Sequence, residues 1–172
     1  MNHSSNTNAG GWKGCDLRYD VLGSTNTNDG DATATTATNP VANTLMAALP
    51  SDLRAVMQPM TIYTDNTGGG SDNASYVTKT TDYLPLLAEY EIFGTRTYAN
   101  SAEKNYQAQY AYYSAGNSKV KYRHSATSSA AWWWERSPLY SYSSAFGSVN
   151  TDGGAAAPTA RYSFGVAPAF RV

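Results

Sequence analysis

The hydrophobic pattern opens at "GGWKGCDLRYDVLG", where Trp12, Cys15, Tyr19 and Leu22 recur at the spacing of one helix face. Gly23 follows as a helix stop. "STNTNDGDATATTATNP" is polar and without period, and reads as a loop. "VANTLMAALPSDLRAVMQP" predicts a helix, a break at Pro50, and a second helical turn capped by Ser51. Leu53, Val56 and Met57 form the apolar stripe of that turn, and Pro59 ends it. "MTIYT" predicts a short strand and "DNTGGGSDNAS" a glycine-rich loop. "YVTKTTDYLPLL" predicts two short extended pieces that lead into a short helix at "AEYEIFG". The strongest helical pattern is "SAEKNYQAQYAYYSAG", with Tyr106, Tyr110 and Tyr113 on one face and Gly116 just past its end.

Beyond Lys119 the period shortens. "KVKYRH", "AAWWWE", "AFGSVNTDGGAA" and "YSFGVAPAFRV" predict short strands, with Asn150-Thr151-Asp152-Gly153 as a hairpin turn. Helices precede strands, so the expected class is α+β: short antiparallel strands in a sheet, with two or more helices on one side. Strand alternation sets Trp132 and Trp134 on one face and Trp133 on the other, so at least one face should be core. Glu135 and Arg136, next to that aromatic block, are expected to satisfy polar groups beneath it, with the guanidinium forking onto carbonyls or a carboxylate. Residues 11–172 are expected to form a single domain. Residues 1–10 read as a polar linker or the start of a fragment.

Composition narrows the function classes. Charged residues make up 15% of the 172 residues and the formal net charge is -1, which gives no electrostatic case for nucleic acid or an anionic membrane. Lys119, Lys121, Arg123 and His124 are the densest basic group, and they read as a solvated strand face. No apolar run approaches the length of a membrane span. Cys15 is the only cysteine, so there is no intrachain disulfide and no cysteine-based zinc site, and a small buried hydrophobe is the expected role. The 14 tyrosines are the unusual feature, because tyrosine joins apolar area to a hydroxyl at low entropic cost and is favoured on binding surfaces.

Candidate chemistry is thin. His3 and His124 are the two histidines; there is no G-x-S-x-G elbow and no H-E-x-x-H. Glu89, Glu91 and Glu103 lie in helical contexts where solvent-facing or capping roles are usual. Asp82 with Glu135 would be a conceivable glycosidase pair, but nothing in the sequence sets them face to face. Asp29 and Asp31 lack the glycine and bidentate glutamate of a calcium loop. No catalytic residue, metal or cofactor is expected.

Three stretches carry a resemblance: "GGWKGCDLR", "LPSDLRAVMQPMTIYT" and "WWWERSP…FGSVNTDG…GVAPAFRV". Together they resemble a domain family without an assigned activity, common in gut bacteria and their phages, marked by W-x-R-S-P and a terminal G-V-x-P-A-F. That family looks like a branch of the C-type-lectin-like fold, in the version also used by formylglycine-generating enzymes. The enzyme relatives use two active-site cysteines, so a chain with one does not inherit their activity. The E-P-N, Q-P-D and W-N-D motifs of calcium-dependent lectins are absent too.

The resemblance also extends to the variable proteins of diversity-generating retroelements, phage receptor-binding tips among them. There, template adenines are mutagenised, and an Asn codon changed at its two adenines cannot become Lys, Glu, Gln, Met or Trp. None of those five occurs from Leu139 to Gly165. The resemblance therefore implies a ligand- or receptor-binding domain on a phage virion or a bacterial surface, displayed as an oligomer against a cell-surface glycan or protein. The implied surface is Tyr140, Ser141, Tyr142, Ser143, Ser144, Asn150, Asp152, Arg161, Tyr162 and Phe164. Phe146, Val149 and Phe164 are the members expected to lean into the core. Trp132, Trp133, Trp134, Arg136, Pro138, Val166, Pro168 and Phe170 are expected scaffold. The competing expectation is a structural virion protein, a capsid decoration or tail domain, whose same region packs on neighbouring subunits.

Overall fold

The computed structural model describes residues 1–172. After a turn at Gly11–Gly14, the first regular element is a single π-helical turn at Leu17–Val21, shorter than the helix expected over Trp12–Leu22. Trp12, Cys15 and Leu22 are buried as the spacing required, while Tyr19 is only half-buried and Leu17 and Arg18 face inward instead. The wider π turn brings Arg18 inward, where its Nε donates to Asp82 at 2.6 Å. Gly23 ends the turn at a φ of 63°, a conformation open to glycine.

The following segment, expected as loop throughout, contains a short helix α1 (Ala34–Thr38) entered through Thr33. Helices α2 (Leu45–Ala48) and α3 (Ser51–Val56) flank the predicted break, with Pro50 rather than Ser51 in the capping position. Of the expected stripe, Met57 is buried but Val56 is exposed, because α3 lies at the edge of the core. Strands β1 (Met60–Asp65) and β2 (Val77–Asp82) pair antiparallel around the glycine loop. Helix α4 (Glu89–Phe93) forms where expected.

The strongest helical pattern is the largest departure. Residues 101–116 form a 3₁₀ turn at Ser101–Asn105, an extended stretch, and a one-turn α5 (Ala111–Ser114). Tertiary contacts outbid helical propensity: Tyr106 stacks on Tyr63 at 4.3 Å, Gln107 donates to the Tyr63 carbonyl, and Gln109 donates to the Ile92 carbonyl. Only Tyr113 of the expected face is buried.

The C-terminal half holds the hairpin β3 (Lys121–Arg123) with β4 (Ala126–Ala131), and a three-stranded sheet of β5 (Trp133–Pro138), β6 (Phe146–Val149) and β7 (Ala155–Ala156). The class is thus α+β, built from three small antiparallel sheets rather than one. The turn at Asn150–Gly153 is as expected: the Asn150 side-chain oxygen accepts from the amides of Asp152 and Gly154. "YSFGVAPAFRV" is not a strand. It makes single bridges at Gly165 and Arg171 and leaves Phe170 exposed, contrary to its expected scaffold role.

Strand β5 organises the core because both its faces are buried. Trp134 joins Trp12, Leu22, Met46, Leu86 and Phe146 in the main cluster. Trp133 joins Ile92, Tyr113 and Val149 in a second cluster on the opposite side. Residues 1–10, expected as linker or fragment start, lie against the fold. Met1, Asn2 and Asn8 are buried, and the Asn2 amide donates to Ala160.

Candidate functional site

The polar interior around β5 is crowded with charge. Arg136 forks onto Glu91 at 2.6 and 2.7 Å, and also donates to the Leu86 carbonyl and the Thr64 hydroxyl. Glu91 additionally caps α4 by accepting from the Ala88 amide. Glu89 accepts from the amides of Thr97, Tyr98 and Ala99, tying the 97–99 loop to α4. Glu103 takes bonds from the Asp65 amide, the Ser137 hydroxyl and Gln107. Glu89, Glu91 and Glu103 are therefore all buried, with none facing solvent as their helical contexts suggested. Burial pushes the Glu103 carboxyl up to about 7, against the pull of its three donors and of Arg136. Glu135 is also buried, its Oε1 has no hydrogen-bond partner, and burial followed by the charges of Glu89 and Glu103 raises it well above the ordinary 4.5. Asp82 is held by Arg18, Ser24 and Thr80, which occupies both its oxygens. Burial also pushes the Cys15 thiol up to about 12, consistent with a packed hydrophobe.

Immediately after β5 the character reverses. Residues 140–144 are held by their main chain. The Tyr140 amide donates to Tyr98, the Ser143 carbonyl accepts from the Asn8 amide, and the Ser144 carbonyl accepts from the Ala160 amide. The Asn8 side-chain amide donates to the carbonyls of Leu139, Tyr142 and Ala145, and its oxygen accepts from the Gly69 amide. Gly70, at a φ of 74°, passes so close that a Cβ there would sit 2.8 Å from the Ser143 amide nitrogen. The hydroxyls of Tyr140, Ser141, Tyr142, Ser143 and Ser144 make no hydrogen bond within the chain, and Tyr142 is 69% exposed. Tyr140 alone has a side-chain partner, the Arg96 guanidinium at 3.9 Å above its ring.

The expected surface falls into two groups. The bridge between Ala145 and Thr159, with the Ala160–Ser144 bond, brings residues 140–144 beside Arg161 and Tyr162. Asn150 and Asp152 sit at the far end of β6, on the order of 15 Å along the strand, where Gly153 approaches Lys119 and Val120. Phe164 lies between Trp132 and Trp134, at 5.3 and 4.8 Å, and stacks on Tyr162 at 5.7 Å. It packs on the core, as do the fully buried Phe146 and Val149.

Two grooves flank the 163–166 segment. One, of about 270–280 Å³, is bounded by Leu17, Val21, Trp134 and Tyr162. The larger, about 590 Å³, lies between that segment and the β3–β4 hairpin and is lined by Lys121, Arg123, His124, Trp132 and Phe164. Sequence reasoning took the hairpin as a solvated strand face and missed this groove. The signal available was the nearness of the basic cluster to the tryptophan block.

These features define a mixed α+β domain with a saturated interior and an irregular, tyrosine-bearing surface. The sequence model of a family described as a domain of unknown function (DUF6273) matches residues 1–172, and the chain belongs to that family. No curated protein and no solved structure matches the chain.

Proposed function

We propose that this chain is a ligand- or receptor-binding domain, displayed on a phage virion or a bacterial surface, with Tyr140–Ser144 and Arg161–Tyr162 as its principal contact surface. The observation that carries the reading is the division of labour in that region: main-chain bonds fix its course, while its side chains stand free in solvent. Such side chains can change without disturbing the fold, as a surface diversified by a retroelement requires. Exposed tyrosines supply stacking and apolar area, and serines supply adaptable hydrogen bonds. The C-type-lectin-like fold belongs to this proposal, supported by the sequence motifs and by the short irregular strands. The partner is a bacterial cell-surface glycan or protein, engaged through many copies, since linked weak sites gain ~10²–10⁴ in apparent affinity.

The test is binding of the multimerised domain to a panel of bacterial strains beside a Tyr142→Ser/Tyr162→Ser variant. Strain-selective binding by the native protein and its loss in the variant support the reading. Equal binding by both, or self-assembly through this face with no cell binding, would favour the structural virion protein.

A further inference from the structure

The formal charge of -1 hides an asymmetry that folding creates. Six of the thirteen carboxylates are buried (Asp65, Asp82, Glu89, Glu91, Glu103 and Glu135) against two of the twelve cationic side chains, Arg18 and Arg136. The accessible surface is therefore net cationic, and the excess is not spread evenly. From Lys104 onward, Asp152 is the one side-chain carboxylate outside the interior, set against Lys104, Lys119, Lys121, Arg123, Arg161 and Arg171. Every ion pair in the chain is made by Arg18, Arg96, Arg136 or His3, so Lys119, Lys121 and Arg123 have no acidic partner.

Those unpaired cations converge on the largest groove. Lys121 and Arg123 form one wall with His124, and the Lys121 ammonium sits 5.8 Å from the Trp133 ring. The opposite side is Trp132 against Phe164, fixed because the Gly165 amide donates to the Trp132 carbonyl and the Trp134 amide donates to the Gly165 carbonyl. A volume of about 590 Å³ suits several sugar rings or a drug-sized ligand. We propose that this groove binds an acidic carbohydrate polymer, with Lys121 and Arg123 meeting its anionic groups and Trp132 stacking on a sugar ring. The hydroxyls of Ser125, Thr151 and Ser163 on the same lining match the alternating hydroxyl and C–H faces of a pyranose, which favours a glycan over a nucleic acid. The assignment rests on the reading of the domain as a ligand binder and names its ligand class, but its residues are separate from Tyr142 and Tyr162.

The test is titration of the whole chain with oligogalacturonate, phosphorylated mannan, neutral dextran and a thymidine oligonucleotide at 50 and 200 mM salt. The expected result is salt-sensitive binding to an acidic glycan and none to dextran; the carboxylate and phosphate arms tell which anion is preferred. The Lys121→Gln/Arg123→Gln variant should weaken binding about tenfold or more and lower the salt slope by about one to two. Its thermal midpoint should not move, because both side chains are on a hairpin without ionic partners. Lys79→Gln, on β2, serves as the charge control and should leave binding unchanged. Binding to no acidic glycan at 50 mM salt, equal loss in the control, or tighter binding to the oligonucleotide would overturn the assignment. If these glycans fail while strain binding still depends on Tyr142 and Tyr162, the groove assignment fails alone.

Discussion

Ser137 and Ser141 are four residues apart and belong to opposite regimes. On β5, Arg136 and Ser137 are buried and fully engaged: the guanidinium meets Glu91, Leu86 and Thr64, while Ser137 donates to Glu103 and accepts from the Glu89 amide. In the next loop the fold relies on carbonyls and amides alone, gathered by Asn8 from the other end of the chain. The difference is in which atoms carry the structure. Where side chains carry it, replacement leaves a charge or a polar group buried and unpaired. Where only the main chain carries it, any residue that accepts the same backbone angles will serve.

The largest effect should come from Arg136→Met. It strands Glu91 in the interior and should cost about 3–5 kcal/mol in urea unfolding. Adding Glu91→Gln should return part of that loss by removing the stranded charge. No recovery would mean the ion pair is not what holds this layer.

Next comes pH. The Glu103 carboxyl is raised in the fold, so its contribution to stability is complete below 4.5 and is lost as pH climbs through about 7. The loss is on the order of 3 kcal/mol from this group. Glu135, raised further in the same direction, extends the decline to higher pH. Glu135→Gln replaces a carboxyl that must stay protonated with a neutral amide, so urea unfolding at pH 5 and pH 8 should differ less in the variant than in the native chain. An undiminished difference would place the titration elsewhere.

Asn8→Ala should be smaller and local. Three carbonyls and the Gly69 amide lose their partner, at about 1–3 kcal/mol. Hydrogen exchange should quicken at Gly69 and Ala160 before the amides of β5 are affected. Smallest of all is Tyr142→Ser, which should leave stability within about 0.5 kcal/mol because the ring touches little.

The same contrast explains what the sequence revealed. Local signals were legible: the strand at Met60, the short helix ended by Gly94, the Asn150–Gly153 turn, and the burial of Trp133 and Trp134 on opposite faces of one strand. The tyrosine surface was legible as well, through its lack of period between two fixed motifs. Residues 101–116 were misread because their conformation is set by Tyr63 and Ile92, distant partners that helical spacing cannot register. The cationic groove was hidden for a similar reason. Net charge counts every carboxylate alike, and only the fold shows which six are withdrawn from the surface.

The central claim is that side chains support the fold on β5 and are free in the loop that follows. It is tested by two displayed libraries, one randomised at Trp134–Pro138 and one at Ser141, Tyr142, Ser143, Arg161 and Tyr162, each sorted for resistance to protease. The account predicts that most members of the second library stay resistant while few of the first do. Comparable losses in both would contradict it, because the tyrosine surface would then be part of the scaffold.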